Sequence, residues 1–225
     1  MKLEDAPPGL LAQQDGRHAL RVRRADRTAV FISQDGSLVE TAREDVVDPT
    51  LLQFTLGAVE SLAALAAAGH ALVLYAARSS WPGGRMSRAQ ATRLQDELQR
   101  RLLAEAGVEV LDFVACPHPP TADETPNCLC RPPAPGLLLR AARLHGLDLS
   151  RSWVVGDTLD EVQAGQRAGC HTVLLDHGNG GVRHRHTPPL RQTFARCTAW
   201  DEVVHLILLE SRRATTHGRR FGMKI

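Results

Sequence analysis

Apolar residues along the chain fall into short dense runs that alternate with stretches of helical spacing. Val30, Phe31 and Ile32 form the first run, and it leads into the polar stretch Ser33-Gln34-Asp35-Gly36. Taken alone, "AVFISQDGSLVE" fits two structures: a hairpin built on the Asp-Gly turn, or a covered strand ending at an active site. The segment from Leu56 to Ala68 carries Val59, Leu62 and Leu65 at helical spacing and stops at Gly69. "HALVLYAA" (70–77) then predicts a buried strand. Ser87 is placed to cap a helix with Leu94, Leu98 and Leu102 on one face, ending at Gly107. "VEVLDFVAC" (108–116) predicts a third strand. A Pro- and Cys-containing loop follows, then the helix "GLLLRAARLHG", the strand "SWVVGD", the helix "LDEVQAGQRAG" and the strand "HTVLLD" (171–176).

Repeated strand-then-helix units of this length predict an α/β fold, a mostly parallel Rossmann-like sheet with helices on both faces. Sites in such sheets lie at the carboxyl ends of the strands. That rule gathers Ser33, Asp35, Ala76, Ala77, Cys116 and Asp157 on one rim. The ends of the chain carry weaker patterns. Residues 1–27 are expected to form an N-terminal extension with one strand-like stretch, "ALRVRR". "VRHRHTPPLRQ" reads as a surface loop. After the helical "AWDEVVHLILLE", residues 211–225 are expected to be a basic, solvated tail.

Composition narrows the function classes. At 225 residues and 43% hydrophobic the chain can bury a substantial core. A formal net charge of +2 gives no electrostatic reason to expect nucleic acid as a partner. No apolar run reaches membrane-spanning length and the first residues lack a signal-peptide core, so a cytoplasmic protein without membrane contact is expected. Lysine occurs only at Lys2 and Lys224, so arginine supplies every cation between them.

Metal chemistry is the sharpest signal. Cys116 and His118 form C-x-H, Cys128 and Cys130 form C-x-C, and a Pro-rich loop joins the pairs. Three thiolates and one imidazole make a closed tetrahedral set of the kind that holds structural zinc, and C-x-C is too short for an ordinary disulfide. Cys170 and Cys197 stand apart from it.

The strand, the C-x-H/C-x-C loop and "VVGDTLDEVQAG" together resemble the haloacid dehalogenase superfamily, in the branch of the D-glycero-D-manno-heptose 1,7-bisphosphate and histidinol-phosphate phosphatases. The resemblance spans residues 28–210 and includes the zinc loop 116–130. It implies phosphomonoester hydrolysis: a strand-end Asp attacks phosphorus, and a second Asp two residues on acts as acid and base. The family's D-x-D-G-T is here "SQDGS", so Ser33 holds the nucleophile position and Asp35 the acid/base position. The family's Thr-Asn phosphate clamp is matched by Ala76 and Ala77, and the Lys of its C-R-K-P by Pro132. Arg131 and Arg78 remain as candidate cations for substrate. Asp157, Glu161 and the Asp35 carbonyl match the family's Mg²⁺ site, weakened by serine in place of a ligating carboxylate. An N-cap role for Asp157 is the structural alternative.

These losses lead to the expectation of an impaired enzyme, a pseudoenzyme shaped for a phosphorylated sugar, in which Ser33 has no base at its side. Two alternatives stand beside it. One is a residual hydrolase using water activated by Asp35 and a metal on Asp157, and the other is a scaffold for a protein partner. The chain is expected to be monomeric.

Overall fold

The computed structural model describes residues 27–40, 52–77, 88–116, 118, 128–177 and 195–221. Six strands form one sheet: β1 (Ala29–Ser33), β2 (Ala71–Ala77), β3 (Asp112–Cys116), β4 (Trp153–Gly156), β5 (His171–Leu175) and β6 (Ala195–Cys197). Their order is β3-β2-β1-β4-β5-β6 and every pairing is parallel. Among the described residues four α-helices connect them, α1 (Ala58–Ala67), α2 (Arg88–Ala106), α3 (Gly136–His145) and α4 (Leu159–Ala168), and α5 (Trp200–Phe221) follows β6. Among the described residues no helix is long and apolar enough to cross a membrane.

Burial on both faces explains why the strands read as unbroken apolar runs. Val30 and Ile32 of β1 pack with Leu62 and Leu65 of α1, Leu98 and Leu102 of α2, and Trp200 and Val203 of α5. Ala29 and Phe31 point the other way, into a cluster with Val73, Tyr75, Leu138 and Ala141 of α3, and Val154. β1 is thus a central strand of a parallel sheet. The Asp-Gly turn that follows it is real, but the chain pairs there with a distant segment: Glu40 N–H donates to Gln53 O and Thr55 N–H to Leu38 O.

The order reverses at β1 and β4. From β1 the chain builds outward through β2 and β3, then returns to β4 on the other side of β1. The crevice beyond the carboxyl ends of these two strands is the natural ligand site of such a sheet.

Four expectations change. The third strand begins at Asp112 rather than Val108, because Gln99 of α2 bonds the backbone instead of a neighbouring strand: its Nε2 donates to Val108 O and its Oε1 accepts from Val110 N. β6 is three residues long and was not foreseen. Helix α5 runs on to Phe221, through the segment expected to be a solvated tail and past the boundary expected at 210. Thr158, not Asp157, caps α4. The extension 1–26, Arg78, Ser87 and the loop 182–192 lie outside the described residues.

His70 ties the amino end of the sheet to α5. Its Nδ1 lies 3.2 Å from Thr28 Oγ1 and its Nε2 3.2 Å from Ser211 Oγ. Burial, reinforced by the charge of Arg151, lowers its pKa. A depressed histidine pKa means that the unfolded chain takes up this proton first, so stability falls as pH drops through the ordinary histidine range, about 6.5. His70→Gln keeps hydrogen-bonding capacity without the titration. Its unfolding free energy should therefore decline less than that of the unmodified protein between about pH 7 and pH 5, and equal declines in denaturant titrations would contradict this.

Candidate active site

At the end of β1 the chain makes a tight turn. Gly36 adopts φ +81°, a conformation that favours glycine, and a methyl group there would overlap the Asp157 carboxylate. Gly36 therefore lets the β4 end approach the β1 turn. Trp200 fixes that turn from below: its Nε1–H lies 3.0 Å from both Ser37 O and Thr55 Oγ1, and the Thr55 hydroxyl donates to Ser37 O at 2.5 Å. Asp35 and Asp157 are both half-buried on the rim, while Ser33 and Gln34 beneath them are buried.

Ser33 is not isolated. Its hydroxyl donates to Glu161 Oε1 at 2.5 Å and lies 3.2 Å from Asp35 O. This corrects the reading of Ser33 as a residue without an acid/base group beside it. Glu161 reaches across from α4, where it also completes a capping box: its N–H donates to Thr158 Oγ1, and its Oε2 accepts from the N–H groups of Asp157 and Thr158 at 3.0 and 3.2 Å. Both carboxyl oxygens are engaged within the protein. Burial, and then the charge of Asp157, push its pKa well up.

Tyr75 was not singled out in the sequence, where it reads as one more apolar residue of a strand. It pairs in register with Ser33 and is 2% exposed. Its hydroxyl makes no hydrogen bond of good geometry. Burial first, then Glu161 and Asp157, raise its pKa well above the usual phenol value.

A second cluster hangs from the end of β3. Cys116, His118, Cys128 and Cys130 bring four ligand atoms within 4.8 Å of one another. The sulfurs are 3.1 to 3.5 Å apart, and His118 Nδ1 lies 3.0 Å from Cys130 Sγ and 3.6 Å from Cys116 Sγ. A tetrahedron with metal–sulfur bonds of about 2.3 Å has edges of roughly 3.7 Å, so this set fits a single small ion such as zinc. Burial and the adjacent thiols Cys116 and Cys128 push Cys130 up to about 12, a crowding that a bound cation would relieve. The loop is braced from three sides. Gly136 brings α3 onto the Leu129 carbonyl (N to O 2.8 Å), and any side chain there would collide with it. Arg167 of α4 donates to Pro133 O at 3.0 Å. Arg131, 5% exposed, donates through Nη2 to His118 O at 2.8 Å. One nitrogen of the guanidinium expected to meet substrate thus braces the loop.

The expected clamp positions lie beside this loop. Ala76 and Ala77 end β2 and pair with Ala115 and Cys116, and Ala76 brings no polar side-chain atom to the rim. The described rim carries the carboxylates of Asp35 and Asp157, with a serine where the resemblance places the attacking carboxylate.

Comparisons with known proteins agree with this architecture. A family model described as HAD-hydrolase-like matches residues 129–197. A D-glycero-beta-D-manno-heptose-1,7-bisphosphate 7-phosphatase from Photorhabdus laumondii is 33% identical over 151 residues, covering 65% of this chain and 79% of the relative. Its counterpart from Pseudomonas aeruginosa is 32% identical, covering 69% of this chain and 80% of the relative. The crystal structure of D,D-heptose 1,7-bisphosphate phosphatase from B. bronchiseptica, complexed with magnesium and phosphate, superposes with a TM-score of 0.66 at 26% identity, covering 81% of this chain and 99% of that one. With a switch-point crevice carrying Asp35 and Asp157, a braced Cys/His loop and these relatives, the chain belongs to the haloacid dehalogenase superfamily, in the branch of the D-glycero-D-manno-heptose 1,7-bisphosphate phosphatases.

Proposed function

We propose that the chain is a phosphosugar-binding member of this branch that no longer forms an aspartyl-phosphate and is severely impaired as a phosphatase. One observation carries the reading: the last residue of β1 is a serine whose hydroxyl is committed to Glu161 at 2.5 Å. An acyl phosphate needs a carboxylate nucleophile, and position 33 has none to offer. Ala76 supplies no donor to hold the phosphoryl group, and Pro132 no charge. Losing a single oxyanion donor commonly costs a factor of about 10² to 10³ in rate. The partial exposure of Asp35 and Asp157 favours one secondary reading, slow hydrolysis by water that Asp35 activates.

The two metals fare differently. Zinc at Cys116, His118, Cys128 and Cys130 is a closed structural ion in this reading, leaving no position for substrate and holding the loop in place. Magnesium fits poorly. It would find the Asp157 carboxylate and the Asp35 carbonyl, but a neutral hydroxyl at Ser33 and a Glu161 already engaged at both oxygens, whereas Mg²⁺ demands a full set of hard oxygen ligands.

The zinc assignment predicts one zinc per chain by elemental analysis. Cys130→Ser should lose the metal and melt at a clearly lower temperature, because the intact site draws on a binding energy of order 10 kcal/mol. Native-like melting without zinc would refute it. The main reading is tested by thermal shift with sugar phosphates, together with phosphate release from a sugar bisphosphate. Stabilisation by at least one sugar phosphate is expected, with turnover at least about 10²-fold below that of the B. bronchiseptica enzyme measured alongside. Comparable turnover would end the impaired-enzyme reading, and stabilisation by none would end the phosphosugar reading.

A further inference from the structure

Three hydrogen-bond donors converge on one side chain at the β1–β4 crevice, and a fourth polar group lies beside it. The Ser33 hydroxyl donates to Glu161 Oε1 at 2.5 Å, and the N–H groups of Asp157 and Thr158 donate to Oε2 at 3.0 and 3.2 Å. That fourth group is the buried Tyr75 hydroxyl, which makes no hydrogen bond of good geometry. It stands 3.2 Å from the point where a Cβ on Gly156 would lie, and Glu161 Oε2 stands 2.7 Å from that same point. Gly156 leaves the gap through which Glu161 crosses β4 towards β1, so a side chain at 156 would displace it.

A hydroxyl, a phenol and two N–H groups at the start of a ten-residue helix are together the chemistry of oxyanion recognition. We propose that Glu161 is the internal occupant of one oxyanion subsite: its carboxyl group takes the donors and the volume that a single tetrahedral oxyanion would use, while the half-buried rim at Asp35 and Asp157 stays open to a phosphosugar. The inference rests on the phosphosugar reading of the crevice and adds to it a residue that keeps a free oxyanion out of this one buried subsite. Truncating Glu161 should uncover a pocket for one tetrahedral oxyanion, with Ser33 and Tyr75 among its walls.

The test is the melting temperature of the full chain against inorganic phosphate, at constant ionic strength and without added divalent metal. Glu161→Ala should show a saturable rise of about 5 °C or more at millimolar phosphate, and the unmodified protein none. Glu161→Gln preserves the bulk and should behave like the unmodified protein. Adding Ser33→Ala or Tyr75→Phe to Glu161→Ala should weaken apparent phosphate affinity by about fivefold each, the weight of one hydrogen bond. Should Glu161→Ala fail to fold, Glu161→Ser carries the same expectations. Equal phosphate responses in the unmodified and truncated proteins, no response in a folded truncated variant, or a response in Glu161→Gln matching that of Glu161→Ala would each overturn the proposal. Sugar phosphates run in parallel separate the two ideas. A truncated variant that answers to inorganic phosphate but to no sugar phosphate upholds the internal occupant and removes the phosphosugar reading. An unmodified protein that answers to a sugar phosphate, with no gain on truncation, does the reverse.

Discussion

The hydrogen bond from Ser33 to Glu161 joins residues 128 positions apart and determines what the crevice can do. It links the end of β1 to the first turn of α4. The same carboxyl group accepts the leading N–H groups of that helix, so strand, helix and cap depend on one side chain. Each partner is needed. Gly156 leaves the gap, Thr158 completes the cap, and the small Ser33 side chain accommodates a second acid that a carboxylate at the same place would repel. Polar groups buried this deeply are costly unless they satisfy one another, and most of these do.

The rest of the molecule holds this arrangement from two sides. Trp200, fully buried at the start of α5, bonds Ser37 and Thr55 and so keeps the turn after β1 in position. On the other flank the Cys/His loop is braced by Gly136, Arg131 and Arg167 and needs nothing from the crevice for its own geometry. Framework and chemistry are therefore separable. The chain carries Ser33, Ala76 and Pro132 where the resemblance places the attacking carboxylate, the clamp and the lysine, and still forms the sheet, the cap and the Cys/His loop.

Much of the fold was legible because both faces of the sheet are covered, which leaves strands such as "VFI" and "LVLY" as unbroken apolar runs between helical repeats. The Cys/His cluster was legible because ligand spacing is local. What escaped was either short or distant. β6 is three residues with the exposed Arg196 at its centre, too brief for a pattern. The late start of β3 depends on a single Gln99 side chain from another element. The continuation of α5 carries few apolar residues, so periodicity did not reveal it, although its four arginines favour helix. Glu161 was noticed as an acid one turn after Asp157. Its contact with Ser33 depends on the gap at Gly156, which nothing local to either residue announces.

On the proposed reading, no carboxylate in this crevice accepts a phosphoryl group. Beryllium fluoride with Mg²⁺ imitates an aspartyl-phosphate, so the most direct measurement is the melting temperature of the unmodified protein with and without the two together, beside the B. bronchiseptica enzyme. Marked stabilisation of that enzyme and no change in this chain are expected. A magnesium-dependent rise in this chain would mean that Asp35, Asp157 or Glu161 has taken over as nucleophile, and would contradict the proposed reading.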